Sequence, residues 1–215
     1  MGVDRAALNV EVLIPRTQDI VEVDIANAEW ILIIEKEAVF RRLTASNFHL
    51  NSAAGKGILI TGKGYPDLNT RAFVRALSDG CARLDKPPQF YVLVDSDPDG
   101  MAIMSTYKYG TMAHASDNAR LNVPCIRWLG LRTSDVAADT DPLGDNSLIK
   151  LTTRDRKKAV SMLSNSPVWA DSGPELEWRA ELQQMLMLNL KAEIETLYNR
   201  EGGIERWISQ KMTVR

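Results

Sequence analysis

The sequence predicts an α/β fold, an open parallel sheet flanked by helices, with a helical extension at the C-terminal end. Three features carry this expectation. Short, continuous apolar runs rich in β-branched residues recur as far as Leu131, which is the pattern of strands buried on both faces. The first three of them each lead into a segment with helical patterning or a helix-start signal. Beyond Leu131 the strand-like runs give way to loops and amphipathic patterns. Strands alternating with helices imply parallel neighbours joined by right-handed crossovers.

Residues 1–28 read as an extended lead-in with one or two short strands, from the apolar runs Val10 to Ile14 and Ile20 to Ile25 around Pro15 and Arg16. Trp30 to Ile34 (WILII) is the first buried strand, and EKEAVFRRL after it places Ala38, Val39, Phe40 and Leu43 at helical spacing. Gly57 to Thr61 (GILIT) is the second strand. It is followed by the turn GKGYPD, with Asp67 as N-cap of a helix through Phe73, Val74 and Leu77. Phe90 to Val94 (FYVLV) is the third, and Pro98 to Tyr109 is a helix opened by proline in its first turn. Val123 to Trp128 is the fourth strand. Residues 29–132 form the expected core, and 133–215 a loop and helical extension packed on it. There the acidic stretch Asp135 to Asn146 reads as a surface loop, and Thr152 or Thr153 as the cap of a helix through Leu163. Ser164 to Pro174 reads as a loop containing Trp169. Glu175 to Tyr198 reads as one long amphipathic helix ended by Gly202-Gly203. A segment of that size alone makes a marginal core, which favours packing on the sheet.

With 45% hydrophobic and 25% charged residues, the 215-residue chain matches globular averages and is long enough to bury a substantial core. Its net charge of -2 says little about partners, because charge is focused locally. The two cysteines, Cys81 and Cys125, have no metal-ligand spacing and read as free thiols in a reducing compartment. His49 and His114 are lone histidines. No apolar run is long enough to span a bilayer and no signal peptide opens the chain, so a soluble, intracellular protein is expected.

Ligands of open parallel sheets bind at the carboxyl ends of the strands. Three acidic residues fall there: Glu35 after the first strand, and Asp95 and Asp97 after the third. Carboxylates gathered at one rim repel each other unless a cation neutralises them, and an all-oxygen set suits a hard divalent ion such as Mg²⁺. Acidic residues also favour helix starts for dipole reasons alone. DSDPDG (Asp95 to Gly100) matches the first half of a calcium loop, but the twelfth position is Thr106 and the loop follows a strand, so that reading fails. A strand followed by D-x-D also opens aspartyl-phosphate phosphatase sites, with Asp95 as nucleophile. In a third reading, a Toprim site, the D-x-D pair shares a metal with a glutamate from an earlier strand. Only this reading uses Glu35.

The strings IIEKEAVFRRL, ILITGKGYPDLNTRAFVRAL, VLVDSDPDG, STYKYG, IRWLGL and LTTRDRKK, in this order, resemble the Toprim part of the topoisomerase VI A subunit. They are closer still to its meiotic relatives, the transesterases that make programmed double-strand breaks. The similarity runs from about Leu13 to beyond Tyr198. It implies a Rossmann-like Toprim fold that holds Mg²⁺ through Glu35, Asp95 and Asp97, with Glu35 serving as ligand or as general acid. Asp99 is not carried over as a ligand, and Glu37 reads either as an assisting acid or as an ordinary first-turn helix acid. The resemblance also implies DNA as substrate, action in the nucleus, a homodimer, and a companion subunit like that of topoisomerase VI B. It implies further that a WD-repeat protein docks near the C-terminus, about where Asn199, Arg200 and Glu201 fall.

In that family a winged-helix domain carrying the nucleophilic tyrosine precedes the Toprim part. This chain begins where that domain would end, and Tyr65, Tyr91, Tyr107, Tyr109 and Tyr198 all lie in Toprim-like segments. None is assigned as nucleophile, and the chain alone is expected to be inactive. Lys63 in the glycine-flanked turn and Arg71 on the second helix are the leading phosphate contacts. Arg75, Lys108, Arg127, Arg132, Arg154 and the Arg156-Lys157-Lys158 run stand behind them. A non-catalytic assembly module is the remaining alternative.

Overall fold

The computed structural model describes residues 12–20, 25, 27–111, 115–137 and 148–213. Its strands Trp30–Ile34 (β1), Gly57–Thr61 (β2), Gln89–Leu93 (β3) and Arg127–Gly130 (β4) form one parallel sheet in the order β2-β1-β3-β4. The chain leaves β1 for β2 on one side, then crosses back to place β3 on the other. The boundary between β1 and β3 is thus the point where the winding reverses, which is where a doubly wound sheet opens a crevice at its carboxyl rim.

All five residues of β1 are buried, as a central strand demands. Side-chain alternation divides them between two cores. Ile31 and Ile33 pack with Ile60, Phe90 and Val92. This face is covered by Leu68–Cys81 (α3), Pro98–Tyr109 (α4), Thr153–Asn165 (α7) and Leu176–Leu188 (α8), which contribute Val74, Met101, Ala159 and Leu182. Trp30, Leu32 and Ile34 face the other way, against Val39 and Leu43 of Glu37–Ala45 (α1) and Ile204, Trp207 and Ile208 of Gly203–Thr213 (α9). The C-terminal extension therefore covers both faces of the sheet. Shorter helices, Phe48–Asn51 (α2), Ala115–Leu121 (α5) and Thr133–Ala137 (α6), complete the described helical set.

Local signals act as their chemistry predicts. Asp67 caps α3 by accepting from Thr70 N at 2.7 Å. Thr152 and Asp155 close a reciprocal capping box at the start of α7. Of the lead-in, Val12 to Arg16 forms no strand and Thr17–Asp19 makes a 3-10 turn. Residues 21–24, His114 and residues 138–146 of the expected acidic loop lie outside the described residues. The fourth strand starts later than expected, at Arg127. The N–H of Val123 is taken by Tyr107 O at 2.9 Å, and that of Ile126 by Val123 O at 3.2 Å, so neither can enter the ladder.

The long helix expected over Glu175 to Tyr198 is two elements and a strand. Asn189 ends α8 in the left-handed region at φ 54°. Its carbonyl accepts from Leu151 N at 3.1 Å and its side chain from Arg156 at 2.9 Å. Leu190–Ala192 (β6) then pairs antiparallel with Leu148–Lys150 (β5), and Ile194–Asn199 forms a 3-10 turn. Ile194 and Leu197 are fully buried in either reading, which is why apolar spacing did not reveal the break. Gly202 and Gly203 both have positive φ, and Gly203 opens α9 instead of ending a longer helix.

Candidate metal centre

Because β1 and β3 are parallel neighbours with Ile34 beside Leu93, the residues following them emerge on the same rim. Glu35 N–H donates to Leu93 O at 3.0 Å, which continues the ladder one step past the strand. The Glu35 side chain turns toward β3 and its Oε2 accepts the backbone N–H of Asp95 at 2.9 Å. Asp95 is 7% exposed; its Oδ1 accepts from Ile194 N at 2.8 Å, and its Oδ2 lies 3.0 Å from Lys36 Nζ. Asp97 caps α4 through Gly100 N at 2.7 Å, while Lys191 Nζ stands 3.7 Å from its Oδ2. Gly100 is required here, because a Cβ would meet the Asp95 carbonyl oxygen at 2.4 Å.

The loop between the aspartates is locked from both sides. Ser96 exchanges backbone bonds with Ala192, at 2.9 and 3.1 Å, and its hydroxyl lies 3.1 Å from that of Thr133. The segment from Lys191 to Glu195 thus forms a wall of the site. Sequence reading missed this wall, because it assigned those residues to an uninterrupted helix. Lys36 was within reach, since it stands between Glu35 and Glu37, but nothing in the sequence says which carboxylates surround it.

Burial, reinforced by the charge of Asp95, pushes the Glu35 carboxyl up to about 8. Burial also raises Asp95, to about 6, against the opposing pull of Lys36 and the Ile194 N–H. Desolvation works against the charge of Lys36, yet Asp95 and the bond to Glu195 more than offset it, and its pKa stands above the ordinary lysine value. The rim therefore gathers carboxylates whose charge burial resists and which Lys36 and Lys191 help to neutralise. Among the described residues no three His, Cys, Asp or Glu side chains are drawn together as a metal cage. The donors present are nevertheless carboxylate oxygens in need of positive charge. That fits a Mg²⁺-type ion, which binds through one or two carboxylates and keeps several waters or phosphate oxygens.

The other candidates are placed unevenly. Lys63 adopts φ 56° beside the site, with Nζ 3.1 Å from Glu37 and its side chain 56% exposed. Two of the turn's backbone N–H groups are already engaged, Lys63 N by Thr61 Oγ1 at 3.1 Å and Gly64 N by Glu35 O at 2.9 Å, which leaves the exposed side chain as the clearest phosphate contact. Arg71 is corrected from a surface contact to an interior one. It is 1% exposed and bonds Asn118 and Asn122 at 3.2 and 3.1 Å, since α3 turns it toward α5. Arg75, Lys108, Arg132 and Arg156 are also paired within the chain. Asp99 pairs with Lys158, which also bonds Tyr65 OH at 2.5 Å. Arg200 donates inward to the Asp135 carbonyl, whereas Glu201 is exposed and 2.8 Å from Arg206. The phosphatase reading leaves without a role the Glu35 carboxylate that holds the Asp95 backbone N–H. No helix among the described residues is long and apolar enough to cross a membrane.

This geometry is matched by likeness to known proteins. The family model for the Toprim domain of Spo11 and of the topoisomerase 6 A subunit matches residues 30–212. Meiotic recombination protein SPO11-1 of Oryza sativa subsp. indica is 42% identical over 192 residues, covering 89% of this chain and 46% of that protein. Meiotic recombination protein SPO11 of Homo sapiens is 42% identical over 173 residues, 80% of this chain and 40% of that one. The A subunit of type 2 DNA topoisomerase 6 from Aeropyrum pernix is 32% identical over 191 residues, 86% of this chain and 46% of that one. The chain spans about half the length of the curated relatives it matches. A parallel sheet with acidic residues on adjacent carboxyl ends, matched over nearly its full described length, places the chain in the Toprim domain family of Spo11 and the topoisomerase 6 A subunit.

Proposed function

We propose that this chain is the metal-binding part of a Mg²⁺-dependent transesterase that makes DNA double-strand breaks in meiotic recombination. It would work in the nucleus with a tyrosine from a winged-helix domain outside the chain. The observation that carries the reading is the Glu35 carboxyl bonded to the Asp95 N–H on the adjacent carboxyl end, in a chain of this family. The tyrosine hydroxyl gives up its proton to water as its oxygen attacks phosphorus, the bond from phosphorus to the 3′ oxygen breaks, and the 5′ end becomes tyrosyl-linked. Asp95 and Asp97 would hold a divalent ion, which would supply positive charge to the phosphate oxygens. Glu35, whose carboxyl burial pushes up to about 8 in the metal-free chain, would either join these ligands or serve as the acid that protonates the departing 3′ oxygen. Lys63 contacts the DNA backbone. Each protomer cuts one strand, so a homodimer makes the double-strand break, with a companion subunit similar to topoisomerase VI B.

Titration of the chain with Mg²⁺ or Mn²⁺, followed by NMR, tests the centre. Shifts centred on Glu35 and Asp95 are expected, lost in the Asp95→Ala, Asp97→Ala double variant and tightened when DNA is added, less so with Lys63→Ala. Absence of binding up to tens of millimolar, with and without DNA, removes the metal reading.

A WD-repeat partner is proposed to dock at the exposed Glu201 and the adjoining Arg200. Loss of a pull-down on Glu201→Ala is the expected result, and unchanged capture removes that contact.

A further inference from the structure

Lys36 Nζ is shared among three carboxylates: Asp95 Oδ2 at 3.0 Å, Glu195 Oε2 at 2.6 Å and Glu193 Oε2 at 3.7 Å. Asp95 Oδ1 is committed to the buried Ile194 N–H, so Oδ2 is the oxygen left for a cation, and the lysine occupies it. A second positive charge on that oxygen, in a site this sheltered, would meet strong repulsion. The ammonium already makes its shortest contact on the far side, to Glu195. Glu193 and Glu195 are 51% and 36% exposed at their side chains, so they can keep the lysine charge near water. Lys36 is the N-cap residue of α1 with an extended backbone, and only its side chain needs to swing. Asp97 repeats the arrangement: Lys191 faces it at 3.7 Å while resting on Asp155 at 3.0 Å.

We infer that Lys36 is a positioning residue for the centre, an exchangeable counter-cation that holds Asp95 until a divalent ion binds and is then retained by Glu195 and Glu193. This rests on the metal reading above. It makes the Lys191 to Glu195 segment part of the metal-binding machinery: those glutamates lower the cost of vacating Asp95 without being ligands. The site stays neutralised when empty, which spares the fold an uncompensated buried carboxylate.

The test is a double-mutant cycle read as Mg²⁺ affinity at about pH 8.5 on the whole chain, with Lys36→Met, Glu195→Gln and their combination. Lys36→Met is expected to tighten binding about tenfold by removing the competitor, and Glu195→Gln to weaken it several-fold by leaving the lysine on Asp95. In the Lys36→Met background the Glu195→Gln effect should shrink to less than about twofold, because there is no lysine to retain. Lys36→Arg, which preserves the charge, should keep the wild-type affinity and guards against a folding artefact. The idea is overturned if Lys36→Met leaves affinity unchanged or weaker. An equal Glu195→Gln effect in both backgrounds, the mark of through-space charge alone, also overturns it. Either result leaves the metal reading standing if the wild type binds. Failure of both wild type and Lys36→Met to bind any divalent ion, with and without DNA, removes the two together.

Discussion

Replacing Asp95 by asparagine is expected to abolish DNA breakage by the full-length protein, a loss on the order of 10³-fold or more. Asparagine preserves the shape of the side chain and can still accept the Ile194 N–H, so the β6 wall should stay docked. What disappears is the charge on the oxygen facing Lys36, the one available to a metal ion. Break formation by the variant is measured alongside its thermal unfolding, which should be close to wild type or higher. Breaks at the wild-type level would mean that the chain serves in assembly and that its carboxylates are not catalytic.

The second large effect is on stability. Glu35→Gln is expected to stabilise the metal-free chain at pH 8 by on the order of a few kcal/mol, seen as a rise in Tm of about 5–10 °C. The folded-state pKa of Glu35, about 8, lies above its ordinary value of 4.5, so the folded chain binds more protons than the unfolded one between those limits. The stability this group confers is complete below about 4.5 and is lost as pH rises through 8. Glutamine keeps the acceptor for Asp95 N and carries no titration, so the variant's profile should flatten over that range. Asp95, raised from 3.8 to about 6, leaves a residual slope of the same sign at lower pH. Parallel profiles for wild type and variant would show that Glu35 ionises without cost. A site that opposes folding in this way is characteristic of function maintained against stability.

The sheet was legible in sequence because its strands are short, continuous apolar runs, fully buried in central β1 and half-buried in edge strand β2. WILII, GILIT and FYVLV are continuous apolar runs, and each can be recognised without knowing its neighbours. Their parallel order followed from the alternation with helices, and the caps at Asp67 and Thr152 from side-chain chemistry that acts within three residues. Glu35, Asp95 and Asp97 were visible as candidates for a related reason: residues between the end of a parallel strand and the start of the next helix emerge at the carboxyl rim.

Elsewhere the deciding contacts lie far apart in the chain. Arg71 sits on an amphipathic helix and reads as a surface cation until α5 brings Asn118 and Asn122 to its guanidinium. The run from Leu186 to Leu197 carries helical spacing, and a local reading has no reason to break it at Asn189. The break is decided by Leu151, Arg156 and Ser96, which offer the backbone and side chain partners outside the helix. By itself, then, the sequence determined the sheet, its rim and the acidic residues on it, because burial periodicity and capping are local properties. Only the tertiary structure decided which charges neutralise them and which segment walls the site. A lysine shared between Asp95 and Glu195 depends on residues a hundred positions apart meeting in a sheltered volume, and no local pattern encodes that meeting.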